Sequence, residues 1–117
     1  MRWAYLLAVA GLCITSPAFA HAMLERASPP VGSEAASPPH EIVLTFTEGV
    51  EPLFSSIEVR NAAGAVLATG KPHAAGDTRR LAVDLPMLPA GTYTVIWHAT
   101  SVDTHKTEGR FQFSVAR

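Results

Sequence analysis

The clearest signal in the chain is two-residue alternation. Across residues 41–47, Ile42, Leu44 and Phe46 fall on one side of an extended segment, with Glu41, Thr45 and Thr47 on the other. Residues 56–60 repeat the pattern, and Asn61-Ala62-Ala63-Gly64 turns the chain into residues 65–68. Leu81, Val83 and Leu85 share a side of residues 80–85, and Pro86-Met87-Leu88-Pro89-Ala90-Gly91 interrupts it. Residues 92–100 make the strongest strand, with Tyr93, Val95 and Trp97 facing one way and Thr94, Ile96 and His98 the other. Phe111, Phe113 and Val115 line one face of residues 109–115. Residues 27–33, 37–40 and 69–78 read as turn or loop.

Six or seven short strands with turns between them, and no stretch of helical period, predict an all-β domain. The expected form is an immunoglobulin-like β-sandwich or Greek-key β-barrel of about seven strands. Trp97 and Tyr93 are expected in the core, and Met87 as a gap-filling side chain.

The start of the chain follows a different rule. A basic Met1-Arg2-Trp3 precedes an apolar run over residues 4–14, and Ala18-Phe19-Ala20 offers small residues where a signal peptidase cuts. Residues 1–20 are therefore read as a secretory signal peptide and 21–117 as the mature domain. The apolar run falls short of the roughly 20 residues that span a bilayer. An uncleaved N-terminal anchor or a buried helix is the alternative reading, and cleavage would leave no segment inserted in a membrane.

Composition then narrows the chemistry. Removing residues 1–20 from the 117 leaves 97, and takes the single cysteine, Cys13, and Arg2 with it. The mature chain then carries 8 basic and 10 acidic residues, a net charge of -2. It has no disulfide, no thiolate ligand and no cysteine nucleophile. Such a charge excludes the broad basic footprint of a nucleic-acid binder. No G-x-S-x-G elbow and no H-E-x-x-H pair suggests hydrolysis.

Cleavage after Ala20 would expose His21 as the first residue. Its α-amine and imidazole Nδ1 can chelate one metal ion, and amine and imidazole nitrogens suit Cu(II). A second cluster, Ser101-Val102-Asp103-Thr104-His105, follows the strongest strand. In an extended segment Asp103 and His105, two apart, point the same way. Together with His21 they would supply two imidazoles, an amine and a carboxylate, a tetragonal N₃O set for Cu(II). The same cluster also reads as a polar loop in which Asp103 caps a turn and His105 is solvated.

The order of several motifs resembles the periplasmic copper resistance protein CopC family. They are the signal ending just before His21, then Ser28-Pro29-Pro30-Val31-Gly32-Ser33, and then Leu44-Thr45-Phe46-Thr47-Glu48. Leu88-Pro89-Ala90-Gly91-Thr92-Tyr93 with Trp97, and Ser101 to His105 followed by Gly109 and Phe111, complete the set. The resemblance implies one Cu(II) ion per mature chain, held by His21, Asp103 and His105. Glu48 would be a weak axial ligand or an acceptor orienting an imidazole N–H, the latter favoured. It further implies a periplasmic, non-enzymatic protein that sequesters or carries copper, with an inner-membrane CopD-like partner.

One departure from the family stands out. Some members hold Cu(I) in a methionine-rich loop, whereas the corresponding loop here is Lys71-Pro72-His73, and the mature methionines are Met23 and Met87. The chain therefore reads as the Cu(II)-only type. His40 and His73 are expected to be solvated, and His98 structural. Two other readings compete: a copper monooxygenase built on an N-terminal histidine brace, and a metal-free immunoglobulin-like adhesion or assembly module.

Overall fold

The computed structural model describes residues 22–68 and 71–117. Nine strands lie in two sheets among the described residues. They are β1 (Leu24–Ser28), β2 (Glu34–Ala35), β3 (Glu41–Phe46), β4 (Ser56–Asn61), β5 (Val66–Ala68), β6 (His73–Ala74), β7 (Arg80–Asp84), β8 (Gly91–Thr100) and β9 (Lys106–Val115). One sheet has the order β1-β3-β7-β6 and the other β2-β9-β8-β4-β5. The architecture is the immunoglobulin-like β-sandwich; the strands divide into two sheets, without closing into one barrel.

The core forms where the alternating faces meet. Ile42, Leu44 and Phe46 of β3 and Leu81 of β7 pack with Ile57, Val59, Tyr93, Val95, Trp97, Phe111 and Phe113 of the other sheet. Phe46 meets Trp97 edge to face across the two sheets, ring centroids 5.3 Å apart. Tyr93 stacks on its ladder partner Phe113 at 5.5 Å. The Tyr93 hydroxyl donates to the Pro89 carbonyl and ties the turn before β8 to the core. Burying the aromatic bodies while satisfying the phenol is the arrangement expected of a core tyrosine.

Three corrections to the sequence reading emerge. Met87 is 76% exposed and fills no gap, because Leu88 beside it takes the buried position. Strand β1 includes Ala27 and Ser28, which read as loop, and β6 lies inside the stretch 69–78. Both lie at an edge of their sheet. There, β1 has an irregular burial pattern with a register shift between Leu24 and Arg26, and β6 is two residues long, so neither shows a two-residue period.

Candidate metal centre

The turn joining β8 to β9 brings Asp103 and His105 together. Asp103 Oδ1 lies 3.2 Å from His105 Nδ1, with both side chains partly exposed. The segment is not extended, as its two-residue spacing suggested. Thr104 between them sits at φ 73, and Thr104 N donates to the Ser101 carbonyl. That left-handed conformation is costly for a β-branched residue, so the surrounding contacts must hold the turn.

Ser101, 1% exposed, is the post on which the turn rests. Its hydroxyl donates to Asp103 Oδ1 and accepts from His105 N at 3.2 Å, while Ser101 N donates to the His105 carbonyl at 2.8 Å. The Ser101 hydroxyl, followed by the side chain and backbone of His105, holds the Asp103 carboxyl below the ordinary aspartate range. Asp103 is therefore an anion wherever a divalent ion would bind it.

Two further segments converge on this turn. Residue 50 bridges to Ser101, and Val102 N donates to the Gly49 carbonyl at 3.0 Å, so the stretch carrying Glu48 runs alongside. The chain entering β1 is pinned on both sides. The Thr107 hydroxyl donates to the Ala22 carbonyl at 2.8 Å. Met23 N donates to Thr47 Oγ1 at 3.0 Å, and Thr47 N to the Met23 carbonyl at 2.9 Å. Ala22, wholly buried, is thus fixed between the neighbour of Glu48 and a residue two beyond His105.

His21 and residues 1–20, read from the sequence as a signal peptide, lie outside the described residues, so the structure brings together two of the residues read from the sequence and the covalent neighbour of a third. Glu48 is partly buried beside Thr47. Among the described residues, it does not join Asp103 and His105 in a group whose ligand atoms all lie within 4.8 Å.

The other histidines fall elsewhere. His98 Nε2 lies 3.1 Å from Glu108 Oε1, its partner across the β8–β9 ladder, in an exposed pair of small energetic weight. His40 is exposed. His73 is exposed too, but it opens β6 rather than lying in a loop, and it stands with Glu41 and Asp84 in a three-ligand cluster. Sequence reasoning missed that cluster because its members are far apart in the chain. The signal that would have found it is the pairing of Glu41, at the start of one strand, with Asp84, at the end of another.

Comparison with known proteins identifies the family of the fold. The family model for the CopC domain matches residues 24–116. Protein YobA of Escherichia coli is 37% identical over 114 residues, covering 95% of this chain and 92% of YobA. Copper resistance protein C of Xanthomonas campestris pv. juglandis is 35% identical over 115 residues, covering 92% of this chain and 89% of that protein. The crystal structure of CopC from Methylosinus trichosporium superposes with a TM-score of 0.78 at 34% identity, covering 82% of this chain and 94% of that one. PcoC of E. coli, described as a methionine-rich copper resistance protein, gives 0.73 at 31% identity, covering 82% and 99%. With its family domain matched over nearly all the described residues and its two-sheet fold shared, the chain belongs to the CopC family.

Proposed function

We propose that the mature chain is a periplasmic carrier of Cu(II), binding one ion through the α-amine and imidazole of His21, the carboxylate of Asp103 and the imidazole of His105. Family membership supports a copper-binding protein of copper homeostasis and resistance, not an enzyme, and a periplasmic location. The observation that carries the site is the Asp103–His105 pair: donor atoms 3.2 Å apart at the rim of the sandwich. Neighbouring donors around a first-row divalent ion with bonds near 2.0 Å stand about 2.8 Å apart, so a small adjustment suffices.

The rest follows from the chain path. The described chain begins at Ala22, whose carbonyl accepts from Thr107, two residues past His105. Signal cleavage after Ala20 frees the amine; an intact Ala20–His21 peptide bond would remove that ligand. Glu48, on the stretch that runs beside Ser101 and Val102, acts as the acceptor that orients an imidazole N–H of a metal-bound histidine. A surface site built from a chain terminus and one turn releases its ion by ligand exchange. An inner-membrane CopD-like protein is the recipient we assign to it.

The test is a Cu(II) titration of residues 21–117, followed by electron paramagnetic resonance, against a version that keeps one alanine before His21. A 1:1 nitrogen-rich tetragonal signal that weakens sharply with the added alanine is expected. Equal, weak binding by both would overturn the proposal.

A further inference from the structure

We infer that Glu41, His73 and Asp84 form a second metal site, one for a borderline divalent ion of the Zn(II) or Cu(II) kind. The register of three adjacent strands builds it. Glu41 opens β3 and lies opposite Asp84, which closes β7. His73 opens β6 and lies opposite Ala82. Residues 82 and 84 share a face, as do directly opposed ladder partners, so all three side chains rise from the outward face of the four-stranded sheet. Their ligand atoms lie within 4.8 Å of one another, and all three residues are exposed. Buried Pro72 seats the chain just before His73, and Leu85 N donates to the His40 carbonyl at 2.9 Å beyond the Glu41–Asp84 pair.

A second observation points to a cation. Like charges directly opposite in a sheet repel, and Glu41 and Asp84 are such a pair. The ion pairs among the described residues are Arg60–Glu58, Arg79–Asp77, His98–Glu108 and His105–Asp103, and none involves either of these carboxylates. An ion held between them converts the repulsion into attraction. One imidazole and two carboxylates, with room for water, make an NO₂ set suited to Zn(II) and Cu(II). Soft Cu(I) is disfavoured, since no sulfur ligand is present. A tetrahedral ion with bonds near 2.0–2.1 Å needs ligand atoms about 3.4 Å apart. Exposed side chains can close that gap by small rotations.

This site does not depend on the N-terminal one. Glu41 opens β3 and Thr47 follows its last residue, Phe46, about 20 Å away at roughly 3.3 Å per residue, so the two centres lie toward opposite ends of the strand. The carrier would then hold a second ion, weakly, on an open face.

The experiment is a Zn(II) titration of residues 21–117, read by NMR at the histidine side chains and by thermal unfolding. It is run beside H73A, the double variant E41Q/D84N, and the version with an added N-terminal alanine. The expected result is a Zn(II)-dependent shift of the His73 resonances, weakened at least tenfold in H73A and in E41Q/D84N. The added alanine should leave it unchanged, which separates this site from the first. Without metal, E41Q/D84N should be at least as stable as the parent, because it loses only repulsion. When combined with the added alanine, which blocks the first site, it should lose the Zn(II)-induced rise in Tm that the added-alanine version alone retains. Unchanged Zn(II) affinity in H73A, or shifts confined to the other histidines, would overturn the inference.

Discussion

Thr107 reaches across 85 residues of sequence to donate a 2.8 Å hydrogen bond to the Ala22 carbonyl. Thr107 lies two residues past His105, and Ala22 follows His21. One hydroxyl therefore couples the N-terminal segment to the turn that carries the other proposed copper ligands.

The first prediction follows from that bond. Thr107→Val keeps the shape but leaves a carbonyl of a wholly buried residue without its donor. A cost of about 1–2 kcal/mol is expected in unfolding by denaturant. Because the bond positions the residue after His21, Cu(II) affinity should fall as well, by about fivefold for each kcal/mol that ordering contributes. Competition with a chromophoric chelator measures it. Loss of stability with full copper affinity would show that the anchor serves the fold alone.

The second concerns Asp103 and pH. Its carboxyl is held below the ordinary aspartate range, first by the Ser101 hydroxyl and then by His105. A carboxylate favoured in the folded state adds stability that is present above its ordinary value and is lost as pH falls through the lowered, folded one. Ser101→Ala should move the Asp103 titration back toward the ordinary range, as carboxyl ¹³C shifts would record. Copper binding by this variant should then weaken at a higher pH than in the parent, since the ligand must be ionised. A titration that does not move would separate Ser101 from the electrostatics of the turn.

Third, Gly109 sits opposite Trp97 in the β8–β9 ladder. A Cβ there would stand 2.7 Å from Trp97 Cζ2, inside van der Waals contact. The indole is packed edge to face on Phe46 and has little freedom to yield. Gly109→Ala should cost about 1–3 kcal/mol by overpacking, visible in unfolding and in Trp97 fluorescence. Gly64→Ala is a contrast of different origin: its added Cβ meets nothing within 4 Å, and its cost comes from the backbone φ of 87 rather than from packing, so Trp97 fluorescence should not change.

How far the sequence could be read depended on how local each feature was. The strands with inward faces at Ile42, Leu44, Phe46 and at Tyr93, Val95, Trp97 were legible because alternation is recorded in consecutive residues. Asp103 and His105 were legible as a pair, though a left-handed Thr104 rather than an extended segment brings them together. The cluster of Glu41, His73 and Asp84 was not, since its members are joined only by strand register. Even His73 read as a solvated loop residue, because β6 has two residues and no period to detect.

Met87 and Leu88 give the last prediction, and the reason one was misread. Both are apolar and both lie in a proline-bounded turn, so composition does not rank them. The Tyr93 hydroxyl ties the carbonyl of Pro89, the residue after Leu88, to the core. Leu88 is 1% exposed and belongs to the core, while Met87 is 76% exposed. Leu88→Ala should cost about 2–5 kcal/mol, the range for emptying a packed site. Met87→Ser should stay within about 0.5 kcal/mol, as exposed substitutions do, and should leave Cu(II) binding intact. Retained binding in Met87→Ser would also show that the Met87 thioether takes no part in the copper site.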